Sequence, residues 1–178
     1  MDVATSTLVS VADYLSQIYH PDRDYLEGKL MERNVGEIDH SDAQGSVLHF
    51  VRAHHQSQFW AGPETRVQIL PERFRIPDVV IVRGGKPKGR VITSPPEVAV
   101  EVLSPDDRAI DIERKIADFL EFGTQCVWVI NPETRRAFIH TSGGSREVKD
   151  GMLRNPAGDL AVPLSAIFPA IGPEPVVG

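Results

Sequence analysis

The chain has 178 residues, 41% of them apolar and 25% charged, which is enough to bury one core and is ordinary globular composition. The 14 glycines and 14 prolines are spread along the chain, which excludes collagen-like and low-complexity architectures. A formal charge of -6 excludes a generic polyanion binder that works through bulk positive charge.

Ser10 with Asp13 is a capping pair, and Val11, Tyr14, Leu15 and Ile18 recur at helical spacing until His20-Pro21. A first short helix is expected there. The segment Tyr25 to Met31 has strand-like stretches around Gly28 and predicts a hairpin arm. From Ser41 to about Phe59, an apolar stripe that includes Val47, Leu48, Val51 and Phe59 predicts the second helix.

After Gly62-Pro63, the segments Thr65 to Leu70, Arg73 to Ile76 and Val79 to Val82 read as two or three consecutive strands. The loop Gly84 to Arg90 follows. Glu97 to Leu103 is then a strand apolar on both faces, which predicts a central position in a sheet. Ser104-Pro105-Asp106-Asp107 offers caps for a helix from about Arg108 to Phe122, with Gly123 as its stop. Two further strands, Gln125 to Ile130 and Arg136 to His140, flank a turn at Asn131 to Thr134. The rest predicts a few short strands and, over about 155–178, a Gly- and Pro-rich mobile end. The single domain expected over 1–178 is a mixed sheet flanked by helices, an α/β (α+β) arrangement, with the N-terminal helix and strand arm in about 1–40.

The one cysteine, Cys126, lies in an apolar run, so no disulfide or Cys-rich zinc site forms and a reducing, cytoplasmic location is expected. No window approaches the length of a membrane span, and the acidic start does not resemble a signal peptide.

Glu101 resists a purely structural reading, because an unpaired carboxylate inside a strand apolar on both faces is costly to desolvate. It needs a cationic partner or a metal. Asp78 opens the neighbouring apolar strand directly after Pro77, so two carboxylates from adjacent strands can converge and attract a hard cation such as Mg2+ or Mn2+. The bland alternatives are a strand-edge aspartate and a buried glutamate paired to an arginine. On the following helix Arg108, Asp111 and Lys115 share a face, and a lysine near an activated water can stabilise charge on a phosphoryl group. By spacing alone an Asp111–Lys115 surface pair is favoured.

The segments Arg75 to Val82, Pro95 to Pro105, the positions Arg108, Asp111 and Lys115, then Gly123 and Val127 to Pro132, resemble the Uma2 family, formerly DUF820, in order and spacing over about residues 20 to 140. Tyr25 to Leu30 and His40 resemble its N-terminal half. The resemblance implies a restriction-endonuclease-like fold of the PD-(D/E)XK superfamily, a metal-dependent nuclease activity, a nucleic-acid partner and a homodimer. Asp78 then matches the metal-binding aspartate and Glu101 the acidic residue of the (D/E)XK element, with the Val102 carbonyl as a further ligand. The lysine position two after Glu101 is Leu103, and Lys115 is the relocated candidate. Glu27 and His40 match positions near the site, and Asp111 is a further accessory candidate.

Other motifs lead elsewhere. Gly84 to Arg90 lacks phosphate-loop spacing, although Lys86, Lys88 and Arg90 could touch a nucleic-acid backbone. No HExxH accompanies His49, His54 and His55, Ser104 stands in no GxSxG elbow, and Trp60 and Trp128 read as core residues. The reading is therefore a Mg2+- or Mn2+-dependent endonuclease that hydrolyses phosphodiester bonds in DNA by metal-activated water; the rivals are a catalytically silent nuclease-fold module binding nucleic acid or a protein partner and a hydrolase of another phosphoester. The charge is uneven: residues 1–42 hold nine acids and three bases, whereas residues 66–90 hold seven bases and two acids, a locally positive strip through the candidate strands.

Overall fold

The computed structural model describes residues 8–34 and 36–168. Its elements in chain order are α1 (Val11–Ser16), β1 (Asp24–Leu26), β2 (Lys29–Met31), α2 (Ile38–His54), β3 (Phe59–Pro63), β4 (Val67–Leu70), β5 (Arg73–Arg75) and β6 (Val79–Arg83). They continue with β7 (Val98–Val102), α3 (Ala109–Phe122), β8 (Cys126–Asn131), β9 (Arg136–Thr141), β10 (Gly144–Glu147), β11 (Met152–Arg154), β12 (Ala161–Pro163) and α4 (Leu164–Ile167). Residues 169–178, the end of the expected mobile tail, lie outside the described residues.

A six-stranded mixed sheet in the order β10-β9-β8-β7-β6-β3 is the centre of the fold. Only β7 and β8 run parallel, joined by α3, as a parallel pair requires a crossover. Side-chain alternation divides the two faces. Ala43, Val47 and Val51 of α2 pack over Val79, Ile81, Val98 and Val100, whereas Ile116 and Phe119 of α3 pack with Val80, Ala99 and Val127 on the other side. Every residue of β7 is buried, as a central strand covered on both faces must be. Among the described residues no helix is long and apolar enough to cross a membrane.

The structure corrects several sequence expectations. One mixed sheet was expected, but β4 and β5 leave the central sheet and join the hairpin arm in a four-stranded sheet, β2-β1-β5-β4. Pro77, which has no N–H for a strand ladder, stands between β5 and β6 where the chain changes sheet. The apolar stripe overran the second helix: α2 ends at His54, and Phe59 opens the edge strand β3, paired with Arg83 of β6. The first helix stops at Ser16, leaving Ile18 exposed, although Ser10 caps it by accepting from the Asp13 N–H at 3.1 Å. Asp107 closes a turn by accepting from Ser104 N at 2.7 Å, and Arg108 is the residue at the N-cap of α3.

Left-handed backbone makes the β1–β2 turn and the end of α3. Glu27 and Gly28, with φ of 45° and 88°, form the two-residue β1–β2 turn, and a Cβ on Gly28 would lie 3.0 Å from Leu8. Gly123, with φ of 105°, ends α3 as expected.

A buried ion network ties the four-stranded sheet to α3. Arg75 Nε donates to Asp118 Oδ2 at 2.6 Å, and Arg75 Nη1 donates to Asp24 Oδ2 at 3.0 Å. Asp24 Oδ1 also accepts from the Ile76 N–H at 2.9 Å. Breaking such a pair on one side leaves an uncompensated buried charge. Arg75→Met should therefore lower the unfolding free energy by about 3–5 kcal/mol in urea titrations, and adding Asp24→Asn and Asp118→Leu to it should recover part of that loss.

Candidate active site

The register of β6 and β7 sets the site. Val79 pairs with Val100 and Val80 with Ala99, so the next opposed positions at this end are Asp78 and Glu101. Alternation turns Glu101 to the same face as Ala99, the face covered by α3, and there Lys115 meets it. Asp78, Glu101 and Lys115 all line one cavity of about 300 Å3, together with His40 and Val102.

Each group has a defined set of partners. Asp78 is 4% exposed; its Oδ1 accepts from Arg33 Nη2 at 2.7 Å and its Oδ2 from the Val102 N–H at 2.7 Å. His40 Nε2 stands 3.4 Å from the same Oδ2. Gln44 of α2 donates to the Asp78 carbonyl at 2.9 Å, which fixes the backbone of the residue as well. Lys115 is 8% exposed, and its Nζ donates to Glu101 Oε2 at 2.8 Å and to the Ile76 carbonyl at 2.7 Å. Glu101 Oε1 and His40 Nδ1 are buried and have no hydrogen-bond partner among the described residues.

These surroundings pull the two carboxylates apart in acidity. Burial pushes Glu101 up to about 7; Lys115 opposes that rise and the charge on Asp78 adds to it. Burial also acts to raise Asp78, but the His40 hydrogen bond and the charges of Lys115 and Arg33 outweigh it and hold Asp78 below the usual carboxylate range. Burial works against a charged His40, yet its bond to Asp78 prevails and raises the imidazole.

The Asp111–Lys115 pair favoured by spacing does not form. Asp111 lines the cavity and lies 3.9 Å from Arg108 and 3.7 Å from Arg114, while Lys115 turns inward. The bland reading of Glu101 named arginine as its partner, and the partner is a lysine. Glu27 does not line the cavity; it sits in the β1–β2 turn with Arg73 Nε at 2.9 Å. Lys86, Lys88 and Arg90 are exposed on the loop that leaves β6 at the end opposite Asp78, and Arg90 donates to the Leu15 carbonyl. The positive strip is largely neutralised: Arg66 pairs with Asp22, Arg73 with Glu27 and Asp118, Arg75 with Asp24 and Asp118, and Arg83 with Glu97 and Asp159.

Sequence reasoning missed Arg33 altogether. It lies between β2 and α2, in a segment without periodicity, and no local pattern marks its contact with a residue 45 positions away. A second groove of about 910 Å3 adjoins the cavity and shares His40, Ser104, Asp107 and Ile112 with it. Its floor is apolar, with Leu103, Ile116 and Phe138.

Among the described residues no three His, Cys, Asp or Glu side chains are arranged to hold a metal ion. The carboxylate pair nevertheless suits a hard cation, because Glu101 Oε1 is buried and unpartnered and a carboxylate offers about four lone-pair sites.

A mixed sheet with one parallel crossover, helices on both faces and acidic residues at one end of adjacent strands is the restriction-endonuclease-like arrangement. The chain belongs to the Uma2 family, whose model, described as "Putative restriction endonuclease", matches residues 12–167. It is similar to a crystal structure from Anabaena variabilis, described as that of "a putative nuclease belonging to DUF820", at 20% identity and a TM-score of 0.76, covering 90% of this chain and 97% of that one. A search of curated proteins gives no match.

The shifted acidity of Glu101 has a sign that can be measured. The folded chain keeps this proton up to about pH 7, whereas an ordinary glutamate releases it near 4.5. The proton's contribution to folding is therefore complete below the ordinary value and is lost as pH rises through the folded one. Wild type should lose stability relative to Glu101→Gln between about pH 5 and pH 7.5, on the order of 1–3 kcal/mol, in denaturant titrations across that window.

Proposed function

We propose that this chain is a divalent-cation-dependent endonuclease that hydrolyses phosphodiester bonds in DNA. The observation that carries the reading is the convergence of Asp78, Glu101 and Lys115 on one cavity, with Glu101 Oε1 unpartnered there. Asp78, Glu101 and the Val102 carbonyl would hold Mg2+ or Mn2+. Bound there, the cation supplies an activated water and stabilises the charge that builds on phosphorus and on the leaving oxygen.

The protein's own groups do the rest. Lys115 is held by the Ile76 carbonyl and Glu101, so its ammonium enters the reaction already oriented and can stabilise negative charge in the transition state without reorganising. His40 fixes the Asp78 carboxylate, and the Asp24–Arg75 pair fixes the strand junction before it. The protein would act in the cytoplasm, where the buried Cys126 stays reduced, and as a homodimer, for which the edge strands β3 and β10 offer unpaired backbone.

A second reading, a nuclease fold that binds without cutting, is favoured by one observation: Arg33 and Lys115 already neutralise both carboxylates.

Cleavage of single-stranded, double-stranded and structured DNA with Mn2+ separates the two. Wild type should cut, and Glu101→Ala should lose about 100-fold or more, as should Lys115→Ala. Intact substrate with wild type, in the presence of Mn2+ binding that Asp78→Asn abolishes, would favour the binding module.

A further inference from the structure

Arg33 is an odd neighbour for a carboxylate that is to receive a cation. Its side chain is 12% exposed, it lines the cavity, and its Nη2 donates to Asp78 Oδ1 at 2.7 Å. Its other ionic contact, to Glu64 Oε1, is loose at 3.6 Å. The next residue, Asn34, donates to Asp107 Oδ1 at 2.8 Å, so residues 33 and 34 form a strap from Asp78 to the loop ahead of α3. Arginine does not shed its proton, so this positive charge stays with the cavity whatever binds there.

A divalent ion on Asp78 would stand close to that fixed charge in a poorly screened cavity, and the two repel. A phosphodiester brings negative charge to the same place, and a planar guanidinium offers it paired donors. We infer that Arg33 is exchanged between Asp78 and the substrate phosphate: it neutralises the carboxylate before the cation binds, and binds the phosphate once the cation has taken the carboxylate. This inference rests on the cation-dependent reading proposed above. It makes Arg33 a substrate-binding residue that opposes the cation alone and favours cation and phosphate together, so that each strengthens binding of the other.

The test uses the full chain and two probes, Mn2+ by calorimetry and a fluorescent duplex oligonucleotide with cleavage-resistant phosphorothioate linkages by anisotropy. Arg33→Gln should bind Mn2+ about 10-fold more tightly than wild type and, at saturating Mn2+, bind the duplex about 10-fold more weakly. In wild type the duplex should raise Mn2+ affinity by about the same factor, a measurement that needs no variant to fold. Unchanged or weaker Mn2+ binding by Arg33→Gln, unchanged duplex binding, or no mutual enhancement in wild type overturns the exchange. Wild-type Mn2+ binding that is lost in Asp78→Asn but unaltered in Arg33→Gln overturns the exchange alone. No Mn2+ binding by wild type or Arg33→Gln overturns the cation site together with it.

Discussion

The ion pair between Lys115 and Glu101 is the contact on which the cavity depends. A carboxylate in the middle of a strand buried on both faces is intolerable without a compensating charge, and α3 supplies it from directly above β7. The same ammonium donates to the Ile76 carbonyl, and Asp24 accepts from the N–H of that residue. Ile76 is thus gripped on both sides, two positions before Asp78. One lysine therefore joins the central strand, the crossover helix and the junction between the sheets, and sets where both acidic side chains stand.

The central part of the fold was legible because burial writes itself into local pattern. The unbroken apolar runs around Val80 and Val100 mark strands covered on both faces, and a glutamate inside one of them stands out against that background. Asp78 and Glu101 could be paired from the order of their strands alone. Phe59 could not be separated from the helix before it, since an apolar residue at the right spacing fits a helical stripe as well as an edge strand.

Long-range charge was the part that could not be read. Arg75 meets Asp118 and Asp24 across 43 and 51 positions, and Arg33 meets Asp78 across 45, distances over which no period survives. The strip of bases from Arg66 to Arg90 looked like a cationic face for the same reason. In the folded chain, Asp22, Asp24, Asp118 and Glu97 come from elsewhere and neutralise much of it. Lys115 was ambiguous in a different way: helical spacing offered it Asp111, and burial gave it Glu101.

The hairpin arm also has a meaning for the order in which the molecule comes together. The strands of the central sheet, α3, and the residues Asp78, Glu101 and Lys115 all follow residue 58 in the chain. Arg33 and His40, the groups that balance Asp78, precede it, as does Asp24, which accepts from the Ile76 N–H. Contacts of such sequence separation close late, because the loop between them must first be paid for in entropy. Until Arg33 and His40 arrive, the acidic end of the sheet carries negative charge that Lys115 only half offsets, so these two groups are what draws an otherwise acidic segment onto it.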